Sequence, residues 1–86
     1  MYAMKIEKSA AKFIKRLDKS TRGRIIDALL EIQETPYTAS NVKKLTNGNR
    51  FRKRVGDYRI IYRVYDDELI VSVIKVGNRG DIYKHL

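Results

Sequence analysis

Arginine is the residue type around which this chain can build chemistry. Arg50, Arg52 and Arg54 recur at every second position, and Arg59 and Arg63 follow beyond Gly56-Asp57. Between Lys43 and Arg63 there are eight basic residues and a single acid, Asp57. A guanidinium presents a planar fork to phosphate oxygens and keeps its charge throughout the biological pH range. Other reaction classes lack their parts. The densest acidic cluster, Asp66-Asp67-Glu68, sits in a turn signal and reads as a solvated turn, so no metal centre is expected. A Ser-His-Asp arrangement would have to draw on His85, the single histidine, at the penultimate position. Gly77-Asn-Arg-Gly80 is too short for a nucleotide fingerprint, and no phosphate-cradling glycine motif or other cofactor site is present. What remains is metal-free cleavage of RNA, whose own 2′-hydroxyl attacks the adjacent phosphate. The protein must then orient the attack, remove a proton, stabilise the developing charge and protonate the leaving 5′-oxygen. DNA lacks that hydroxyl and would not be cut this way.

The whole chain suits such a substrate. Its 86 residues imply one domain, residues 1–86, burying roughly 60–65% of its extended surface. Nineteen Lys and Arg against ten Asp and Glu give a net charge of +9, a field that favours a polyanion. There is no cysteine, hence no disulfide and no thiolate zinc site. The N-terminus has no signal-peptide pattern, and the most apolar run, Leu69 to Val76, is too short to span a membrane. The expected location is the cytoplasm, with no membrane partner.

These side chains need a scaffold, and two periodicities supply it. Residues 3–7 suit a short strand. Ser9 is available as an N-cap for a helix with Ala10, Phe13, Ile14 and Leu17 at helical spacing. Ser20 is available to cap a second helix, in which Ile25, Leu29 and Ile32 line one face before Pro36 stops it. Arg50–Val55, Tyr58–Tyr65 and Leu69–Val76 then read as strands joined by Gly56-Asp57 and Asp66-Asp67. The expected fold is α+β, in the order β-α-α-β-β-β, ending in a short C-terminal helix or tail. Two N-terminal helices pack on one face of a mostly antiparallel, twisted sheet. Alternation puts Tyr58, Ile60, Tyr62 and Val64 on the helix side and Arg59, Ile61 and Arg63 on the other, with Arg50, Arg52 and Arg54. The arginine side is the open one.

The run Arg50-Phe-Arg-Lys-Arg-Val-Gly-Asp-Tyr-Arg-Ile-Ile-Tyr-Arg63, with Val73-Ile-Lys-Val-Gly-Asn-Arg79 and Ile82-Tyr83, resembles the RelE/ParE toxin superfamily. Lys43-Lys-Leu45 and the helix pair match as well, so the resemblance covers essentially the whole chain. A RelE-type resemblance implies an endoribonuclease that cuts messenger RNA in the ribosomal A site and is neutralised by a cognate antitoxin. It implies catalytic roles for Arg59 on a strand, Arg79 after the last strand and Tyr83 near the C-terminus. Two further catalytic positions hold lysines in well-studied members; here they are Arg50 and Arg52. Arginine can grip a phosphate there but essentially cannot release a proton. Arg52 is retained as a catalytic candidate, and Arg50, Arg54, Lys43 and Lys44 as RNA-binding residues. Lys12 and Lys15 on the first helix are candidates for contact with ribosomal RNA.

Plainer roles stay open for several of these residues. Arg59 suits a surface ion pair with Asp57 or Glu68, and Arg50 and Arg52 suit solvation of an edge strand. Tyr83 suits either a proton-transfer role or an anchor for the tail, and His85 a frayed end. The alternative within the superfamily is a ParE-type toxin that poisons DNA gyrase and has no nuclease activity. The arginine cluster favours the nuclease.

Overall fold

The computed structural model describes residues 1–45 and 48–81. The chain runs β1 (Ala3–Ile6), α1 (Lys8–Lys15), α2 (Lys19–Glu34), β2 (Val42–Lys44), β3 (Arg50–Val55), β4 (Tyr58–Tyr65) and β5 (Ile70–Asn78). The five strands form one sheet in the order β1-β5-β4-β3-β2. β1 lies parallel to β5, and every other pairing is antiparallel. The fold is therefore α+β with two helices on a mostly antiparallel sheet, as the periodicities predict. The expected order gains one strand, β2, whose three residues are too few to show a period.

Capping differs from expectation at both helices. α1 starts at Lys8, with Glu7 rather than Ser9 as N-cap and no side-chain cap bond. α2 is capped by Asp18 rather than Ser20; the Asp18 carboxylate accepts from the Thr21 backbone N–H at 3.0 Å. That bond satisfies one of the orphan donors of the first turn. Hydrogen bonding by Thr21, through its side chain first and its backbone N–H second, holds the Asp18 carboxyl below its ordinary range. α2 ends at Glu34, two residues before Pro36, and the freed Pro36 carbonyl accepts from the buried Tyr62 hydroxyl.

Both helices cover the same side of the sheet. Ile25, Ile32, Ile60, Tyr62, Val71 and Val73 are fully buried between the layers, joined by Ala10, Ile14, Ala28, Leu29 and Phe51. Each large side chain contributes about 1.5–3 kcal/mol by leaving water. Phe13 and Leu17, expected in the core, are half-buried at its margin. Phe51 stacks on Tyr62 with ring centroids 5.6 Å apart, and Tyr37 meets Phe51 edge-on at 5.3 Å.

One charge belongs to this layer. Lys53 shares the parity of Phe51 and Val55 and is 3% exposed. Its ammonium donates to Glu31 of α2 at 2.8 Å and to the Ser40 carbonyl at 2.6 Å. Glu31 in turn accepts from the Ser40 backbone N–H at 3.0 Å. A buried lysine is tolerable only when paired in this way. The network ties α2, β3 and the α2–β2 connection together.

A candidate RNA-binding face on the open side of the sheet

Strand register builds the site. Across the β3–β4 hairpin Arg50 faces Arg63, Arg52 faces Ile61 and Arg54 faces Arg59. Residues opposite one another point to the same side. Ile60, Tyr62 and Val64 belong to the core under the helices, so Arg59, Ile61 and Arg63 occupy the other face. Both described helices lie on the far side of the sheet, and none covers these arginines. The basic floor inferred from alternation is present. Its outer members follow from pairing: Lys43 faces Arg52 from β2, and Lys75 faces Ile61 from β5.

A tight turn fixes one end of this floor. Two residues, Gly56 and Asp57, join β3 to β4, and Gly56 has φ of 57°. A side chain is strained at that φ, and a Cβ there would also meet Arg24 Nη2 at 2.6 Å. The turn then acts on its neighbour. Arg59 Nη1 donates to the Gly56 carbonyl at 3.0 Å and to the Tyr58 carbonyl at 2.9 Å. Arg59 is 8% exposed. Its guanidinium is thus anchored on backbone rather than on the Asp57 or Glu68 carboxylate. That nitrogen, Nη1, is committed to position.

Arg79 arrives at the same end from another strand. Arg59 faces Gly77 on β5, and beyond that pair the Arg79 backbone N–H donates to the Asp57 carbonyl at 2.8 Å. The ladder therefore continues past β5 and carries Arg79, exposed, to the hairpin turn beside Arg59. Arg54, Arg59 and Arg79 converge on one corner of the open face.

The remaining candidates fall in different places. Arg50 and Arg52 lie on this face, one and two steps along the strands from that corner. Lys44 faces Phe51, so its parity is that of the helix side at the sheet edge. Lys12 and Lys15 are exposed on α1, in the helix layer. Tyr83 and His85, with the expected C-terminal helix or tail, lie outside the described residues. Two basic residues on the open face were passed over in the sequence. Alternation places Arg63 there without giving it a role, and Lys75 lies inside the most apolar run of the chain. The signal for both was the pairing register, which alternation alone does not supply.

The electrostatics of the face are one-sided. Two pairs of like charge, Arg50 with Arg63 and Arg54 with Arg59, stand directly opposite one another. Such pairs destabilise a sheet by roughly 0.2–1 kcal/mol each. Arg52 Nε and Arg63 Nε are buried and have no hydrogen-bond partner among the described residues. An acid, Glu68, lines a depression with Lys5, Tyr65, Ile70 and Ser72 at the end remote from Gly56. A surface that concentrates like charge and leaves donors unpaired is shaped for an anion. Among the described residues no group of three or more acids or histidines could hold a metal. No helix among them is long and apolar enough to cross a membrane.

Known proteins share this architecture. The family model described as the ParE toxin of type II toxin-antitoxin system, parDE, matches residues 4–83. The chain belongs to the RelE/ParE superfamily of toxins from type II toxin–antitoxin systems, and the relatives below place it with the RelE type. The mRNA interferase toxin RelE of Escherichia coli strain K12 is 28% identical over 79 residues, covering 91% of this chain and 83% of that one. The toxin in the archaeal RelE–RelB complex of Pyrococcus horikoshii superposes with a TM-score of 0.82 at 28% identity, covering 93% of this chain and 97% of that chain. In the intact E. coli RelBE toxin–antitoxin complex the match has a TM-score of 0.79 at 27% identity, covering 91% and 96%. The protein is a RelE-like toxin of a toxin–antitoxin system.

Proposed function

We propose that this toxin is a metal-independent endoribonuclease that cuts messenger RNA in the ribosomal A site, in the cytoplasm. The observation that carries the reading is the convergence of Arg54, Arg59 and Arg79 at the Gly56-Asp57 turn, with Arg59 held by two backbone carbonyls. A fixed cation stabilises a charge that develops in the transition state without reorganising at the moment of reaction. Here the 2′-oxygen attacks phosphorus, the bond to the 5′-oxygen breaks, and negative charge grows on the non-bridging oxygens between Arg59 and Arg79. Arg52 grips the substrate one step along the strand. Tyr83 is the candidate for proton transfer. No cofactor takes part.

The named relatives support the same reading, since one of them is an mRNA interferase and the solved complexes pair such toxins with RelB antitoxins. A cognate antitoxin with acidic residues complements the +9 charge of this chain, and complementary charge speeds encounter. Arg50, Arg54, Lys43 and Lys44 are assigned to RNA, and Lys12 and Lys15 to ribosomal RNA on the helix side of the molecule.

Primer extension on translating ribosomes with purified toxin tests the proposal. Cuts should map within the A-site codon and leave a 2′,3′-cyclic or 3′-phosphate. A message with a 2′-deoxy residue at the cut position should resist. Cleavage of that message at the normal rate would exclude attack by the 2′-hydroxyl. A second reading draws on the family model, which is described by the ParE toxin: a gyrase poison without nuclease activity. It predicts intact messages and DNA damage.

A further inference from the structure

The roles assigned so far leave two cations of the open face, Arg63 and Lys75, without a task. Arg63 is the sharpest case. It stands four residues along β4 from Arg59, opposite Arg50, with its Nε buried and without a partner among the described residues. Between them lies a middle row: Lys43, Arg52, Ile61 and Lys75 pair across four strands, and Ile61 is 0% exposed. The face therefore carries three cationic rungs. The first is Arg54 with Arg59 and Arg79, the second Arg52 with Lys75 and Lys43, the third Arg50 with Arg63.

Successive rungs are two residues apart, or ~6.8 Å along the strands. That is on the order of the separation of neighbouring phosphates in an extended single strand, and a groove that tracks such a backbone needs one cationic position per phosphate. Beyond the third rung the charge changes sign at Glu68, which bounds the row.

We infer that the open face is a phosphate ladder, on which single-stranded RNA runs along β3 and β4 with one phosphate per rung. Arg63 and Arg50 hold the phosphate two nucleotides from the one at Arg59 and Arg79, and Lys75 joins Arg52 on the phosphate between. This rests on the reading of the face as an RNA site. It adds Arg63 and Lys75 as binding residues and fixes the direction in which the strand lies. The like-charged rungs are relieved when phosphates occupy them.

The test uses a short oligoribonucleotide carrying 2′-O-methyl groups throughout, so that no cleavage intervenes, and reads its affinity by fluorescence anisotropy. Arg63→Gln should weaken binding several-fold and lower the slope of log affinity against log salt by about one. Arg63→Lys should keep the slope. A neutral methylphosphonate placed at each linkage in turn supplies the map. One linkage should be silent in Arg63→Gln yet costly in the wild type, and it should lie two nucleotides from the linkage silent in Arg59→Gln. Thermal melts guard against misfolding: Arg63→Gln removes a like-charge pair and should melt no lower than wild type. Equal affinity and salt slope for Arg63→Gln and wild type would overturn the ladder. So would losses that add at every linkage, or wild-type protein that fails to bind the oligonucleotide at any salt. The map does not depend on cleavage. Absent cutting on ribosomes with an intact map removes the nuclease reading and leaves the ladder; cutting with no map does the reverse.

Discussion

Arg54 and Arg59 stand directly opposite each other across the β3–β4 hairpin, two cations paired in register where a sheet would ordinarily place opposite charges. Arg54 has a weak partner in Asn41 Oδ1 at 3.4 Å, and Arg59 is anchored on carbonyls. Neither has its charge offset by the other. The free toxin thus holds a strained electrostatic arrangement that an anionic ligand relieves. Arg54→Thr should raise the melting temperature by roughly 1–6 °C. Added salt should stabilise the wild type more than the variant, because it screens a repulsion that the variant lacks. A melting temperature that falls on this substitution would contradict the account of the face.

The Lys53–Glu31 pair behaves in the opposite way, since there the charges are matched and one is buried. Glu31→Gln leaves the Lys53 ammonium with the Ser40 carbonyl and a neutral amide, at a cost of about 1–3 kcal/mol. Hydrogen bonds from Lys53 and Ser40 hold the Glu31 carboxyl below its ordinary range. A carboxylate lowered on folding stabilises above its unfolded pKa, and the contribution is lost as pH falls through the folded value. Urea melts should therefore separate wild type from Glu31→Gln at pH 7 and bring them together in acid. A gap that is unchanged at low pH would mean that the charge of Glu31 is not what matters.

Much of this was legible in the residues, and the parts that were not share a cause. The alternation of Arg50, Arg52 and Arg54 with Phe51, Lys53 and Val55 assigns both faces of β3 without a structure. It even marks Lys53 as a helix-side residue, although its partner Glu31 is 22 positions away and nothing local announces it. Asp18 lost to Ser20 as the expected cap because both are good caps, and the bond to Thr21 decides between them. The convergence of Arg59 with Arg79 depends on which residue of β5 faces which residue of β4. The register shifts between Ile61 and Tyr62, so counting back from the β4–β5 turn gives Arg59 the wrong partner. That irregularity carries Lys75 and Gly77 onto the open face. It has no signature in a run of β-branched residues.

Asp66 gives the structure a second measurable mark. Its carboxylate accepts from the Tyr2 and Tyr37 hydroxyls, each at 2.6 Å, which joins the N-terminus and the α2–β2 connection to the β4–β5 turn. The Asp66 hydrogen bond, with burial and the charge of Asp66, pushes the Tyr37 phenol up to about 12. Asp66 itself is held low by the two phenols. A phenol raised on folding stabilises below its unfolded pKa, and the contribution fades as pH rises through the folded value. Ultraviolet titration of tyrosinate should show Tyr37 ionising near 12 in wild type and at lower pH in Asp66→Asn. Identical titrations would dissolve the link between Asp66 and Tyr37.

The central claim is that Arg59 acts on the transition state and not merely on binding, and a single-turnover rate tests it most directly. On ribosomes saturated with toxin, Arg59→Ala should slow cleavage by on the order of 10²-fold or more, about 3 kcal/mol of transition-state stabilisation. Arg79→Ala should do likewise. Arg59→Lys should recover part of the loss, because a point charge cannot make the two-pronged contact. Ribosome affinity should change far less, since many other cations share that load. An Arg59→Ala toxin that cuts saturated ribosomes at the wild-type rate, or that stops growth as wild type does with messenger RNA intact, would contradict the account.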